Sequence, residues 1–311
     1  MILTVCMTTY NQEKFIAQAI ESVLGQQPDF DFELLIGDDA SRDRTPEIIT
    51  DYATRFPRRI RPLLHSKNLG FHRNLANLLT QCHADYIALL EGDDYWTDPH
   101  KLDKQFDLLR RHPEFSACFC RARVLYEGDP TRLSFIPADS PNKSSFTTEE
   151  LLRKNYIPTG TLVFRNYGGA IDLRPFFHLS MIDRPLEVLV SLRGPIGYIN
   201  DVTAVYRRHD DGVWGNRDEV WKLKEEAKFF FAIVSALPYH LQLIARQQLA
   251  KTYQMVAARL IQRQEYRKAL GFVIKSLAAL PRRQLFRSAW YLKRSLCLMA
   301  NAIFKLKLGW E

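Results

Sequence analysis

Short apolar runs alternate with amphipathic stretches through the first hundred residues. Ile2–Met7, Leu34–Asp38, Ile60–Leu64 and Tyr86–Leu90 are too short for helices and read as buried strands. Between them, Glu13–Leu24 places Ile16, Ala19, Ile20, Val23 and Leu24 on one helical face. Thr45-Pro46 opens a second helix, Glu47–Phe56, with proline in the first turn where its missing N–H costs nothing. This is the pattern of βαβ units on a mostly parallel sheet flanked by helices, an α/β fold. Ligands of such sheets bind beyond the carboxyl ends of the strands. The polar segments there are Thr8–Asn11, Asp38–Arg44 and Glu91–Asp94.

Further along, the pattern predicts a helix from about Pro99 to His112-Pro113, a strand Phe115–Val124 and a Pro/Ser-rich loop Gly128–Ser145. A capped helix Thr147–Lys154, a strand Gly160–Phe164, a helix Arg184–Leu192 and a strand Gly197–Tyr206 follow. Past Trp214 the chain changes to long helices with few Gly or Pro breaks: Asp218–Ala236, His240–Gln262, Tyr266–Leu280 and Arg283–Lys307. A boundary is expected near residue 215, dividing an α/β domain, 1–215, from an α-helical extension, 216–311. Ala250–Pro281 resembles one helical hairpin of the tetratricopeptide kind.

Composition narrows the class. With 46% hydrophobic and 25% charged residues among 311, the chain is globular and neither collagen-like nor disordered. Five cysteines without a C-x-x-C pair suit a reducing compartment. No apolar run reaches the roughly 18 residues of a membrane span, and the N-terminus reads directly into a strand, so a cytoplasmic protein is expected. The net charge of +8 is uneven: residues 220–311 hold 17 Lys/Arg against 4 Asp/Glu.

The most informative segment is Asp85-Tyr-Ile-Ala-Leu-Leu-Glu91-Gly-Asp93-Asp94-Tyr95-Trp96, a buried strand running into three carboxylates. Like charges crowded at a strand end need a cation or proton, and carboxylates with phosphate oxygens are what Mg²⁺ or Mn²⁺ prefers. The bland alternative is a solvated acidic turn before Pro99. Asp38-Asp39 also ends a strand. Capping of the next helix accounts for Asp43, whereas a carboxylate at the strand terminus could accept N–H and O–H groups of a nucleoside. Asn68-Leu-Gly70-Phe-His-Arg73-Asn74 adds a glycine turn and an arginine suited to a base or phosphate.

Taken together and in this order, Thr8-Thr9-Tyr10-Asn11, Asp38-Asp39-Ala-Ser41-Arg-Asp43-Arg-Thr45, Asn68-x-Gly70-x-x-Arg73-Asn74 and Glu91-Gly-Asp93-Asp94-Tyr-Trp96 resemble family 2 glycosyltransferases of the GT-A fold, over about residues 1–125. A second block, Asp183-Arg-Pro185-Leu186, Gly197-Tyr-Ile-Asn-Asp201-Val and Tyr206-Arg207-Arg-His209-x-x-Gly212-Val-Trp214, resembles the acceptor half, 126–215, of bacterial members. The resemblance implies inverting transfer of a sugar from a nucleoside diphosphate, with the uridine carrier favoured, to an acceptor hydroxyl. It implies Thr8, Tyr10, Asp39 and Arg73 at the base, Glu91 (usually Asp in the family) at the ribose, and Asp93 on a divalent metal. Asp94 would assist at the metal and donor or position backbone.

A base on the far face of the sugar must take the acceptor proton. Asp183 resembles the family base; a helix cap is its other reading. His209 would meet the metal or diphosphate or be a plain turn histidine, with Arg207 and Arg208 as alternative phosphate partners. Trp96 and Trp214 read as packing or sugar-facing residues. Cys118 and Cys120 read as buried thiols, and Phe229-Phe-Phe231 as helix packing.

The tail from Arg282 to Trp310 joins basic residues with Trp, Phe and Leu. That mixture suits either a helix on the inner membrane surface or one docked on the protein. No recognised nucleic-acid motif accompanies the charge, so no nucleic-acid partner is expected. The expected partners are a nucleotide-sugar donor and a glycan or lipid-linked acceptor of polysaccharide or O-antigen synthesis. The rival from another class is a non-catalytic nucleotide-sugar-binding scaffold of the same fold. A nucleotidyltransferase would need a glycine-rich loop that Thr8-Thr-Tyr-Asn-Gln lacks.

Overall fold

The computed structural model describes residues 1–209, 212, 217–281 and 289–308. It divides into two compact units, Met1–Phe177 with Ile182–Asp210, and His178–Met181 with Asp211–Glu311.

The first unit is built on one sheet. In chain order its elements are β1 (Leu3–Thr9), α1 (Ile16–Leu24), β2 (Phe32–Asp38), α2 (Thr45–Arg55), β3 (Ile60–Leu64), α3 (Phe71–Thr80), β4 (Tyr86–Glu91), β5 (Tyr95–Trp96) and α4 (Lys101–Arg111). They continue with β6 (Ala117–Tyr126), β7 (Asp129–Ile136), β8 (Ser145–Phe146), α5 (Thr148–Arg153), β9 (Val163–Arg165), α6 (Asp183–Ser191) and β10 (Ile196–Arg208). The strand order is β3-β2-β1-β4-β9-β6-β10-β5, with β7 on β6 and β8 on β10. β1 to β4 are parallel, as the pattern requires, and β6 pairs β10 in parallel; β9 runs against both β4 and β6. β1 is buried along its whole length, so both faces must be covered. Val5, Met7, Ile16, Ile20, Leu34, Ile36, Ala88 and Leu90 form the core that helices α1 and α2 close.

Several elements depart from the sequence expectation. The stretch read as the loop Gly128–Ser145 contains β7, which folds back on β6 as an antiparallel hairpin, and β8, which pairs β10. Between β3 and β4, where the motif suggested only a glycine turn, α3 begins directly after Gly70, whose φ of 85° is open to glycine at little cost. The helix expected from Thr147 is present, with a full capping box between Thr147 and Glu150.

The second unit is helical: α7 (Glu219–Ile233), α8 (Tyr239–Gln262), α9 (Tyr266–Ala278) and α10 (Ala289–Leu308). Val220, Leu223, Val256, Leu260 and Ala269 form its own core. Phe229 and Phe230 are buried as expected, but Phe231 is 70% exposed, because three consecutive residues of a helix cannot share one face. Trp214 and the start of the expected last helix lie outside the described residues. No described helix is long and apolar enough to cross a membrane.

Candidate active site

The carboxyl ends of β1, β2 and β4 lie side by side, with Thr8 level with both Gly37 and Glu91. Their loops are stitched together by backbone groups. Asp39 N–H donates to Thr9 C=O and Gly92 N–H to Thr8 C=O, each at 3.0 Å. Asn11 adopts φ 53°; its N–H donates to Ser41 Oγ and its side-chain oxygen accepts from Arg42 N–H, both at 2.8 Å. Gly92 is required by contact: a Cβ there would lie 2.5 Å from Gln12 Oε1 and 2.9 Å from Thr9 Oγ1. The acidic turn can therefore close directly over the end of β1.

Of the residues assigned to a base, Thr8 is buried, Tyr10 is 43% exposed, and Arg73 is exposed in the first turn of α3. Asp39 is buried and its two oxygens accept Leu69 N–H (2.6 Å) and Gly70 N–H (2.9 Å). That carboxylate clamps the turn that delivers Arg73. Asp38 is held by Ser41, through both its backbone N–H and its hydroxyl.

β10 brings a distant stretch of chain to the acidic turn by pairing with β5, Val205 level with Tyr95. Arg207 N–H then donates to Asp94 Oδ1 at 2.7 Å, and Arg207 Nε to the Asp93 carbonyl at 2.8 Å. Its guanidinium also donates to Gln18 Oε1 and lies 4.6 Å from the Phe15 ring centre. Arg207, read from sequence as a phosphate partner, thus braces the turn from behind. Two residues on, His209 Nε2 meets Asp93 Oδ2 at 2.9 Å, with Phe15 packed on the imidazole.

Burial and mutual repulsion shape the protonation of this cluster. Burial, then the charges of Asp93 and Asp183, push Glu91 up to about 8. Asp94 is raised well above the usual carboxylate range by burial, then by Asp93 and Glu91, although Arg207 opposes this. Both carboxyls are thus shifted toward the protonated form, which relieves the repulsion.

Asp183 is the first residue of α6, half-buried, and makes no capping hydrogen bond to its own helix. Its Oδ2 instead accepts from Thr159 Oγ1 at 3.4 Å. One turn further, Glu187 is fully buried; neither carboxylate oxygen has a hydrogen-bond donor, and Arg184 lies 3.9 Å away. Burial, then Asp183, push its pKa well up. Sequence reading missed Glu187, although its place four residues after Asp183 put it on the same helix face. Trp96 is core: its indole N–H donates to Gly160 C=O at 2.7 Å. Cys118 and Cys120 are buried thiols.

A divalent cation fits the donor set in part. Among the described residues no three His, Cys, Asp or Glu side chains converge on one point. Asp93 and His209 offer two donors in contact beside a surplus of carboxylates, which suits an ion whose other ligands are diphosphate and water oxygens.

Residues 4–168 match the family described as glycosyl transferase family 2, more than half the chain. The chain belongs to that family. An uncharacterized protein of Mycobacterium tuberculosis is 39% identical to this family 2 chain over 212 residues, 68% of this chain and 60% of that one. This chain therefore spans about 60% of the mycobacterial relative's length. The poly(ribitol-phosphate) beta-N-acetylglucosaminyltransferase TarS of Staphylococcus aureus is 32% identical over 97 residues, 30% of this chain and 17% of that one. The fold is that of TarS 1–349 solved with UDP-GlcNAc: TM-score 0.69, 15% identity, covering 99% of this chain and 92% of that one. It is also that of the mannosyltransferase PcManGT of Pyrobaculum calidifontis solved with GDP-Man and Mn²⁺, with TM-score 0.56, 16% identity, and 99% and 88% covered. The GT-A architecture follows from these likenesses.

Proposed function

We propose that this family 2 chain transfers a sugar, with inversion at the anomeric carbon, from a nucleoside diphosphate to an acceptor hydroxyl. Asp183 takes the acceptor proton. The observation that carries the reading is the meeting of Asp93 and His209 at the strand-end crevice, with Asp183 close enough to Glu91 to raise its pKa. Glu91 and Thr8 sit at the end of the parallel strands, where a nucleoside would lie, and Asp39 fixes the turn that presents Arg73 to it.

Asp93 and His209 would hold a divalent cation, Mn²⁺ or Mg²⁺, which when bound offsets the negative charge that grows on the departing diphosphate. Arg207 keeps the acidic turn in place for that ion, through Asp94 Oδ1 and the Asp93 carbonyl. Thr159 orients the Asp183 carboxylate. A carboxylate base opposite the leaving group favours a single displacement. Uridine diphosphate is the favoured carrier, supported by the fold shared with a structure holding UDP-GlcNAc. The acceptor is a glycan or lipid-linked saccharide of bacterial surface-polysaccharide or O-antigen synthesis.

The deciding experiment is thermal-shift titration of the purified chain with UDP, GDP and dTDP, each with Mn²⁺ and with EDTA. One nucleotide should stabilise the protein in the presence of metal and lose most of that effect in EDTA. Stabilisation by none of them would defeat the donor-site reading.

A further inference from the structure

Helix α10 carries an apolar stripe on its outer face. Leu296, Ala300, Ile303 and Phe304 recur at the spacing of one helical stripe, the pattern that normally marks the face turned to the core. Here the stripe faces outward: Leu296 is 50%, Ile303 39% and Phe304 61% exposed, and Ala300 is exposed too. The two fully buried positions among the described residues of this helix are small, with Leu298 and Met299 partly buried beside them. Ser295 is 1% and Ala302 0% exposed, and Ser295 Oγ is bonded to Gln254 Nε2 on α8 (2.9 Å) and Ser276 Oγ on α9 (3.0 Å). Those hydrogen bonds fix the helix in this rotation, so the outward apolar stripe is built into the unit.

The charge pattern selects the occupant. Ala289–Leu308 carries Lys293, Arg294, Lys305 and Lys307 and no Asp or Glu. Lys293 and Lys305 are exposed at the two ends of the stripe. A second copy meeting the same face about a two-fold axis would set these cations against each other. An anionic bilayer complements both parts: apolar side chains enter the acyl boundary while lysines remain among phosphate headgroups. No described helix can span the membrane, so the contact is one of lying on it. We propose that the outer face of α10, centred on Leu296, Ile303 and Phe304 and bordered by Lys293 and Lys305, seats this chain on an anionic lipid surface.

The test uses the full chain and two kinds of vesicle, phosphatidylcholine alone and phosphatidylcholine mixed with phosphatidylglycerol. Cys297 lies exposed on the same face, and the four other cysteines are buried, so a polarity-sensitive fluorophore can be placed there in the otherwise unaltered protein. The expected result is a blue shift and co-sedimentation with the anionic vesicles only, weakened by salt. Lys293→Gln and Lys305→Gln should each lower the partition constant roughly fivefold. Leu296→Ser with Phe304→Ser should lower it further. All these positions are exposed, so melting temperatures should match the parent. Absence of the blue shift with anionic vesicles, or variants that partition like the parent, would overturn the assignment. So would a dimer, seen by sedimentation velocity, that Leu296→Ser with Phe304→Ser dissolves. Nucleotide-dependent stabilisation reports separately on the donor site, so failure of one reading is distinguishable from failure of the other.

Discussion

In the proposed transfer Asp183 and Asp93 carry separable tasks, and single substitutions divide them. Asp183→Asn keeps the size of the side chain and removes the proton acceptor. Turnover should fall roughly 10²- to 10⁴-fold with nucleotide affinity nearly intact, and near-normal turnover would remove Asp183 from the base role. Asp93→Ala should abolish the difference between nucleotide binding with Mn²⁺ and in EDTA. Glu91 adds a pH dependence. Its cation-free pKa is raised from the model-compound range to about 8, so at neutral pH it carries a proton that a cation arriving beside it must displace. Metal-nucleotide affinity should therefore rise with pH and level off near pH 8, and the binding heat should change with the ionisation enthalpy of the buffer. A buffer-independent heat would show that no proton leaves. Lys101 gives a stability signal of opposite chemistry. It is fully buried, bonded to Gln105 Oε1 at 2.6 Å and 4.0 Å from the Trp96 ring centre, and burial lowers its pKa to about 8. The unfolded chain keeps that proton up to about pH 10.4, so it binds more protons than the native state above pH 8, and stability should rise with pH between these values. Lys101→Met should flatten the rise, as measured by urea unfolding across that window.

At the level of elements, what was legible in sequence is what local pattern controls. The parallel strands β1, β2 and β4 announced themselves as mostly apolar runs because they are buried on both faces, whereas β3, at the sheet edge, is buried only at Ile60 and was read as buried in error. The carboxylates at the ends of β2 and β4 stood out because nothing local neutralises them. β7 was hidden: it lies in Pro- and Ser-containing sequence and owes its strand to the hairpin with β6, an edge pairing that needs little apolar alternation. α3 did carry a signal, Phe71, Leu75, Leu78 and Leu79 at helical spacing, which the glycine motif before it overshadowed. The destinations of Arg207 and Asp39 were not legible at all. Each is set by which strand ends the sheet brings together, and either side chain alone suits an anion or a base as well as a backbone group. Gly92 tests how tightly the elements are joined. Gly92→Ala places a carbon 3.0 Å or less from Gln12, Thr9 and Ile16, so it should cost about 1–3 kcal/mol in urea unfolding and weaken nucleotide binding as the turn lifts.

Across the whole molecule, two units with separate cores predict two unfolding events. In calorimetry, nucleotide with Mn²⁺ should raise the midpoint of the sheet-containing unit alone, because a ligand stabilises only what it binds; a single transition that moves as one would show the units to be energetically fused. The chain does not finish the first unit before visiting the second, since His178–Met181 belongs with the helices while α6 and β10 return to the sheet. The backbone N–H of Arg207 closes on Asp94 across 113 positions of sequence. During synthesis the carboxylates of the acidic turn therefore leave the ribosome long before their brace, and the strand that both separates β6 from β5 and delivers His209 is the last of the sheet to be made. Vectorial synthesis thus leaves the strand-end crevice unbraced until nearly the whole of the first unit has been translated.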